Sequence, residues 1–90
     1  MPSRWKLNER QFISRELEGE HIVLHLDSGN YFTIEGSGAL IFRKLLEGAS
    51  LEAIESALQR DYPSANEHAL RKDLQGFIRE LEKKKIIQAA

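Results

Sequence analysis

The sequence contains no cysteine, which excludes disulfide bonds, thiolate metal sites and cysteine nucleophiles. It also has no apolar run near the roughly 18 residues of a transmembrane helix, and its N-terminus lacks the apolar segment of a signal peptide. Neither sign of charge is in excess, because 13 Lys and Arg face 14 Asp and Glu. A balanced charge argues against binding to nucleic acid or to anionic membranes. We therefore expect a cytoplasmic protein that binds neither.

The composition is that of one small globular domain. Ninety residues with 41% hydrophobic and 30% charged side chains lie in the ordinary range for folded proteins. A chain of this length buries only about 60% of its unfolded surface, so the core is small. Residues 1–10 are polar around a single Trp5 and predict a flexible N-terminal arm, in which Trp5 covers one edge of the core. Residues 11–90 are predicted to form a single domain.

Three short strands are predicted in the first third of the chain. Residues 11–16, 21–26 and 30–34 alternate between apolar and polar side chains, and turn-forming residues separate them. In the second strand, Ile22, Leu24 and Leu26 share one face, and the opposite face carries His21, Val23 and His25. Three such strands are not stable alone, so later helices must cover their apolar face.

Helical spacing begins after Gly36-Ser37-Gly38 and continues to the end of the chain. The first predicted helix ends at Gly48, and the second begins with Ser50 as its N-cap and ends by Tyr62-Pro63. The third begins with a capping box formed by Ser64 and Glu67 and runs into three lysines at residues 83–85. Strands followed by helices predict an α+β fold: a three-stranded antiparallel sheet followed by three helices.

No group of residues in the sequence is typical of a catalytic or metal site. His21 and His25 share a strand face but lie about 13 Å apart, whereas ligands of one zinc ion lie about 2 Å from it. We interpret both, and His68, as solvated surface histidines. Gly36-Ser37-Gly38 lacks the further residues of a phosphate-binding loop and is interpreted as a strand-to-helix turn. We therefore predict no enzyme activity, no metal and no cofactor.

The predicted third strand has no later strand to pair with, so its outer edge is expected to be free. A free edge is a template for an added peptide strand. The long third helix is expected beside this edge, with Leu70, Leu74 and Phe77 on the floor of the groove between them. This arrangement favours a binding protein.

Three segments carry a resemblance to a known family: VLHLDSGNYFTIEGSGALIFRKLLEG, SLEAIESALQRDYP and DLQGFIRELEKKKII. Together they resemble the PqqD-like proteins, which are peptide chaperones of pyrroloquinoline quinone biosynthesis and include the stand-alone recognition elements of lasso peptide biosynthesis. The matching features are Tyr31-Phe32, Gly38-Ala39 and Asp73-Leu74 at the family's spacing. The chain departs from the family's usual Leu-Asn at residues 34–35, Trp at residue 42 and Gly at residue 85.

The resemblance implies a winged helix-turn-helix-like domain that binds the leader segment of a ribosomally synthesised precursor peptide. The leader would add as a strand beside the third strand, lie against the third helix and be passed to a separate leader peptidase or modifying enzyme. Carried onto this sequence, the peptide-binding residues are Asn30, Tyr31, Phe32, Thr33 and Ile34 on the strand and Leu70, Asp73, Leu74 and Phe77 on the helix. Asp73 would offer its charge to a basic or polar leader residue.

The alternative is a DNA-binding transcriptional regulator with a winged helix. Its third helix would enter the major groove with its outward polar side chains, Arg71, Lys72, Gln75 and Arg79. The same helix also carries Glu67, Glu80 and Glu82, and the net charge of −1 disfavours phosphate contacts. Leader recognition is therefore the preferred hypothesis.

Overall fold

The computed structural model describes residues 4–90 and shows five strands and three helices. They are β1 (Trp5–Leu7), β2 (Phe12–Leu17), β3 (Glu20–His25), β4 (Tyr31–Ile34), α1 (Ser37–Leu46), α2 (Leu51–Asp61), α3 (Glu67–Lys83) and β5 (Ile87–Ala89). Strands β2, β3 and β4 form an antiparallel sheet in that order, and the three helices follow it. The predicted α+β fold is confirmed.

Strands β1 and β5 form a second, two-stranded sheet that the sequence patterns did not predict. Trp5 pairs with Ala89 and Leu7 with Ile87, and Trp5 is only 8% exposed. The burial of Trp5 agrees with its predicted place over an edge of the core, whereas the prediction of a flexible arm over residues 1–10 is wrong for β1. Residues 1–3 lie outside the described residues. A strand of three residues is too short to show an alternating pattern, so only its tertiary partner identifies it.

The helices cover the sheet face that carries His21, Val23 and His25. His21 is 4% exposed, and its ring packs edge-on against Phe42 with 5.2 Å between the ring centroids. The prediction of a solvated His21 is therefore wrong. His21 lies on the same sheet face as the buried Val23, and α1 covers this face. The opposite face stays open, with Ile13 58%, Leu24 36% and Tyr31 74% exposed.

The N-caps of α2 and α3 differ in how well they were predicted. Ser50 accepts a hydrogen bond from the Ala53 N–H at 3.2 Å, as predicted. In α3 the cap is Asn66, whose Oδ1 accepts from the Ala69 N–H at 3.2 Å. The predicted Ser64–Glu67 capping box is wrong, because Glu67 is already the first helical residue. An amide oxygen caps as well as a hydroxyl, so the pattern alone did not distinguish the two starts.

A tight turn after α3 directs the chain back into the core. Lys85 has a φ of 61°, its N–H donates to the Glu82 carbonyl and the Ile86 N–H donates to the Leu81 carbonyl, both at 2.9 Å. This pair of bonds is the Schellman motif, in which the left-handed residue is usually Gly. Lys85 accepts a strain of about 1 kcal/mol there, while Ile86 and Ile87 become fully buried.

None of the helices within residues 4–90 combines the length and apolar character that crossing a membrane requires.

The cap assignment predicts different effects for two neighbouring substitutions. Asn66→Ala removes the hydrogen bond to the Ala69 N–H and is expected to lower the free energy of unfolding by about 1 kcal/mol. Ser64→Ala is the matched control and is expected to change it by less than about 0.5 kcal/mol. Urea denaturation of both variants measures the difference, and a larger loss for Ser64→Ala would contradict the assignment.

Candidate functional site

The outer edge of β4 carries backbone groups that no other strand in residues 4–90 pairs with. The His25 N–H donates to the Asn30 carbonyl at 2.8 Å, so these two residues form a hydrogen-bonded pair. Such pairs alternate along an antiparallel ladder. Val23 pairs with Phe32, and His21 pairs with Ile34. Both are therefore hydrogen-bonded pairs, and the backbones of Phe32 and Ile34 bond to β3. The N–H and C=O groups of Tyr31 and Thr33 consequently point away from the sheet.

A groove of about 440 Å³ lies between this free edge and α3. Its apolar floor comes from Ile34 and Leu81, which are buried, and from the partly buried Phe32 and Phe77. The remaining lining residues are Thr33, Glu35, Gly38, Glu80 and Lys84. The groove therefore joins an unpaired strand edge to an apolar surface with a few charged groups, which is the chemistry that an extended peptide needs.

Gly38 determines how closely the elements around the groove approach each other. A Cβ atom on this residue would lie 3.1 Å from Ile34 Cγ2 and 3.2 Å from Phe77 Cε1. Both distances are shorter than ordinary carbon contacts of about 3.5–4.0 Å. A side chain at residue 38 would therefore force Phe77 or Ile34, which both line the groove, to shift.

Four of the predicted binding residues meet in the groove, namely Phe32, Thr33, Ile34 and Phe77. Tyr31 is exposed on the outer sheet face. Asn30 lines a neighbouring hollow. Asp73 is exposed and lies one helical turn before Phe77 on the same face of α3.

The structure does not bring Leu70 and Leu74 into the groove. Leu74 is fully buried in the core, and Leu70 lines a narrow crevice against α2 beside Leu58 and Glu55. The floor expected from these two residues is instead provided by Ile34 and Leu81. Leu74, Ile78 and Leu81 form the buried core face of α3. The groove face, with Phe77, Glu80 and Lys84, is offset from it by about one residue and shares Leu81 with it.

Five lining residues were not predicted: Glu35, Gly38, Glu80, Leu81 and Lys84. Three of them were detectable, because Glu80, Leu81 and Lys84 follow Phe77 at the i+3, i+4 and i+7 spacing of one helix face. Gly38 and Glu35 had no such signal, since their place in the groove depends on how α1 packs against β4.

His25 ties the β3–β4 hairpin to the end of α3. Its Nδ1 accepts the Ser28 N–H at 3.3 Å, so Nε2 carries the hydrogen and donates to the Lys84 carbonyl at 2.9 Å. Lys84 Nζ in turn lies 5.4 Å from the centroid of the Phe32 ring, within the range of a cation–π interaction. These contacts hold one end of the groove at a fixed width.

Other features of residues 4–90 match a functional site less well. A larger hollow of about 740 Å³ beside β1 and β5 is lined mainly by polar and charged side chains. Arg71, a residue of the DNA-binding alternative, lies 3.3 Å from Glu67 and 3.6 Å from Glu55, so its charge is compensated. No group of three or more His, Asp or Glu within these residues is placed to hold a metal ion.

Removing the His25 tie tests its effect on the hairpin. His25→Ala is expected to lower the free energy of unfolding by about 1 kcal/mol and to accelerate amide hydrogen exchange at Phe32, because the hairpin loses its bond to α3. His68→Ala, which removes an exposed histidine of α3, is the control and is expected to change neither. Unchanged exchange at Phe32 in His25→Ala would contradict this assignment.

Comparisons with known proteins agree with this geometry. The family model for coenzyme PQQ synthesis protein D (PqqD) matches residues 20–87. Among solved structures, TbiB1 in complex with the TbiA(beta) leader peptide superposes with a TM-score of 0.84 and 29% sequence identity, over 94% of this chain and 96% of that one. No curated protein sequence matched. The chain belongs to the PqqD family, because the family model matches well over half of its length and its fold is that of a structural relative.

Proposed function

We propose that this protein is a non-catalytic recognition protein for the leader segment of a ribosomally synthesised precursor peptide. The leader adds as a fourth strand beside β4, and the protein delivers it to separate enzymes of lasso peptide or related natural-product biosynthesis. The observation that carries this proposal is the free edge of β4 facing α3 across an apolar groove. The similarity of this protein to TbiB1, whose structure contains a leader peptide, supports the same ligand class.

Strand addition accounts for the directions of the groups around the groove. The unpaired backbones of Tyr31 and Thr33 bond to the leader backbone, and about five leader residues span about 17 Å. Alternate leader side chains then point into the groove beside Phe32 and Phe77, or onto the outer face beside Tyr31 and Thr33. Backbone bonds hold the peptide, and the groove selects its sequence.

A short strand buries little surface, so affinity depends on a few well-buried side chains. Phe77 is the principal anchor on the protein, because it is partly buried and contributes to the apolar floor of the groove from α3. Asp73, one turn earlier on α3, meets a basic or polar leader residue beyond the apolar contact. Leu70 and Leu74 support α3 from the core side and do not contact the leader.

Delivery requires a second surface that stays accessible when the groove is occupied. The outer sheet face provides one, because Ile13, Leu24 and Tyr31 lie side by side across the three strands and all are exposed. A leader strand beside β4 would extend this same face by one strand. The processing enzyme docks on this row, where it contacts the protein and its peptide together.

Titration calorimetry with the leader segments of candidate precursor peptides from neighbouring reading frames tests the proposal. We expect saturable binding at one peptide per chain. Absence of heat at high micromolar concentrations of both components would contradict leader recognition.

Substitutions at Thr33 separate backbone pairing from side-chain contact. Thr33→Pro removes an outward N–H that β3 does not use, so the fold is expected to persist while leader binding is lost. Thr33→Ala keeps this N–H and is expected to retain binding within about threefold, as for an exposed contact. Calorimetry measures both, with circular dichroism as the check on folding. Equal loss of binding in the two variants would contradict strand addition.

Ile13→Asp tests the docking row. A carboxylate in the row opposes an apolar contact, so leader processing by the partner enzyme is expected to fall at least tenfold while the leader Kd stays unchanged. Arg10→Asp, which changes an exposed charge outside the row, is the control. Unchanged processing by Ile13→Asp would contradict docking at this face.

A further inference from the structure

The groove does not end at Phe32. A second hollow of about 620 Å³ adjoins it, and Phe32 and Lys84 line both. The second hollow begins beside Asn30, at the start of β4. A peptide strand that pairs with Tyr31 and Thr33 therefore has one end that leaves the groove into this hollow, whichever direction the strand runs.

The second hollow is positively charged. Lys83, Lys84 and Lys85 line it together with one carboxylate, that of Asp27. Lys84 is partly compensated by Glu80, 3.5 Å from its Nζ. Among residues 4–90, Lys83 and Lys85 have no carboxylate within ion-pair distance. The hollow therefore has a net positive charge next to an apolar groove.

Stabilisation of the α3 C-terminus does not by itself account for all three lysines. Cations favour the last turn of a helix, which explains Lys83. Lys85 is different, because its φ of 61° lies in the left-handed region. Gly adopts this conformation without strain, whereas Lys is strained in it. Strained backbone of this kind clusters at binding sites, and Lys85 is a lining residue of this hollow as well as of the larger one beside β1 and β5.

We infer that this hollow binds a side-chain carboxylate of the peptide, from an Asp or Glu just beyond the strand that pairs with β4. This inference rests on the proposed function and adds a chemical requirement to the ligand. Residue 30 lies two residues, or about 7 Å, from residue 32 along the strand. The acidic residue is therefore expected two to four positions from the apolar side chain that packs between Phe32 and Phe77.

A peptide selection tests this requirement whatever the sequence of the natural leader. The full chain is immobilised and used to select from a display library of random twelve-residue peptides. Each peptide is fused to the display protein through its C-terminus, so it has no free C-terminal carboxylate. We expect enriched sequences to share an apolar position and, two to four residues to one side of it, Asp or Glu. One enriched peptide and its Glu→Gln or Asp→Asn counterpart are then compared, and the neutral form is expected to bind about three- to fivefold more weakly at low salt.

The double variant Lys83→Gln/Lys85→Gly shows whether the lysines are responsible. Gly at residue 85 relieves the left-handed strain, so the fold is expected to be retained. We expect the same apolar position to be enriched, the acidic preference to disappear and the two peptides to bind equally. Lys44→Gln/Lys72→Gln, which removes two lysines that do not line either hollow, is the control and is expected to keep the preference.

The outcomes separate this inference from the proposed function. Apolar enrichment without an acidic preference, or a preference that persists in the Lys83→Gln/Lys85→Gly variant, would overturn the carboxylate site and leave leader recognition standing. Failure to enrich any sequence would overturn both.

Discussion

The unpaired backbone groups of Tyr31 and Thr33 are the feature on which the candidate site depends. A free strand edge is in general a liability, since it can pair with another copy of the same chain. In this protein β4 is only four residues long, and α3 stands beside it with Glu35, Glu80 and Lys84 around the groove. A short edge strand with charged side chains around it is poorly suited to edge-to-edge pairing of sheets, whereas an extended peptide can add to it as a strand. The same constraint that limits self-association therefore selects for a peptide.

The groove exists only because α3 is held at a fixed distance from β4. Three features set that distance: the missing side chain of Gly38, the His25 bond to the Lys84 carbonyl, and the turn at Lys85 that buries Ile86 and Ile87. Strand β5 then continues from this turn and pairs with β1. The second sheet thus positions the end of α3, although it lies outside the groove.

Local patterns in the sequence predicted much of this architecture but not the packing that completes it. The alternation in β3 and β4 and the helical stripe of α3 are long enough to detect, and the missing partner of β4 predicted its free edge. Burial of His21 depends instead on Phe42, from a distant part of the chain. Likewise, a helical stripe does not distinguish a core face from a groove face rotated by one residue. Only tertiary packing places Leu70 against α2 and buries Leu74 in the core.

The charges around the groove bear on the direction of the bound peptide. Strands pair in either direction, so the backbone of β4 alone does not strongly favour one orientation. The groove and the second hollow differ in charge. Glu35 and Glu80 line the groove with one lysine, Lys84, whereas three lysines line the second hollow with one carboxylate, that of Asp27. A peptide with its acidic residue beside the lysines is attracted, whereas the reversed peptide places that residue toward Glu35, because Glu80 is paired with Lys84. Repulsion of the reversed form discriminates as effectively as attraction of the correct one, so side-chain charge can set the orientation that backbone pairing leaves undetermined.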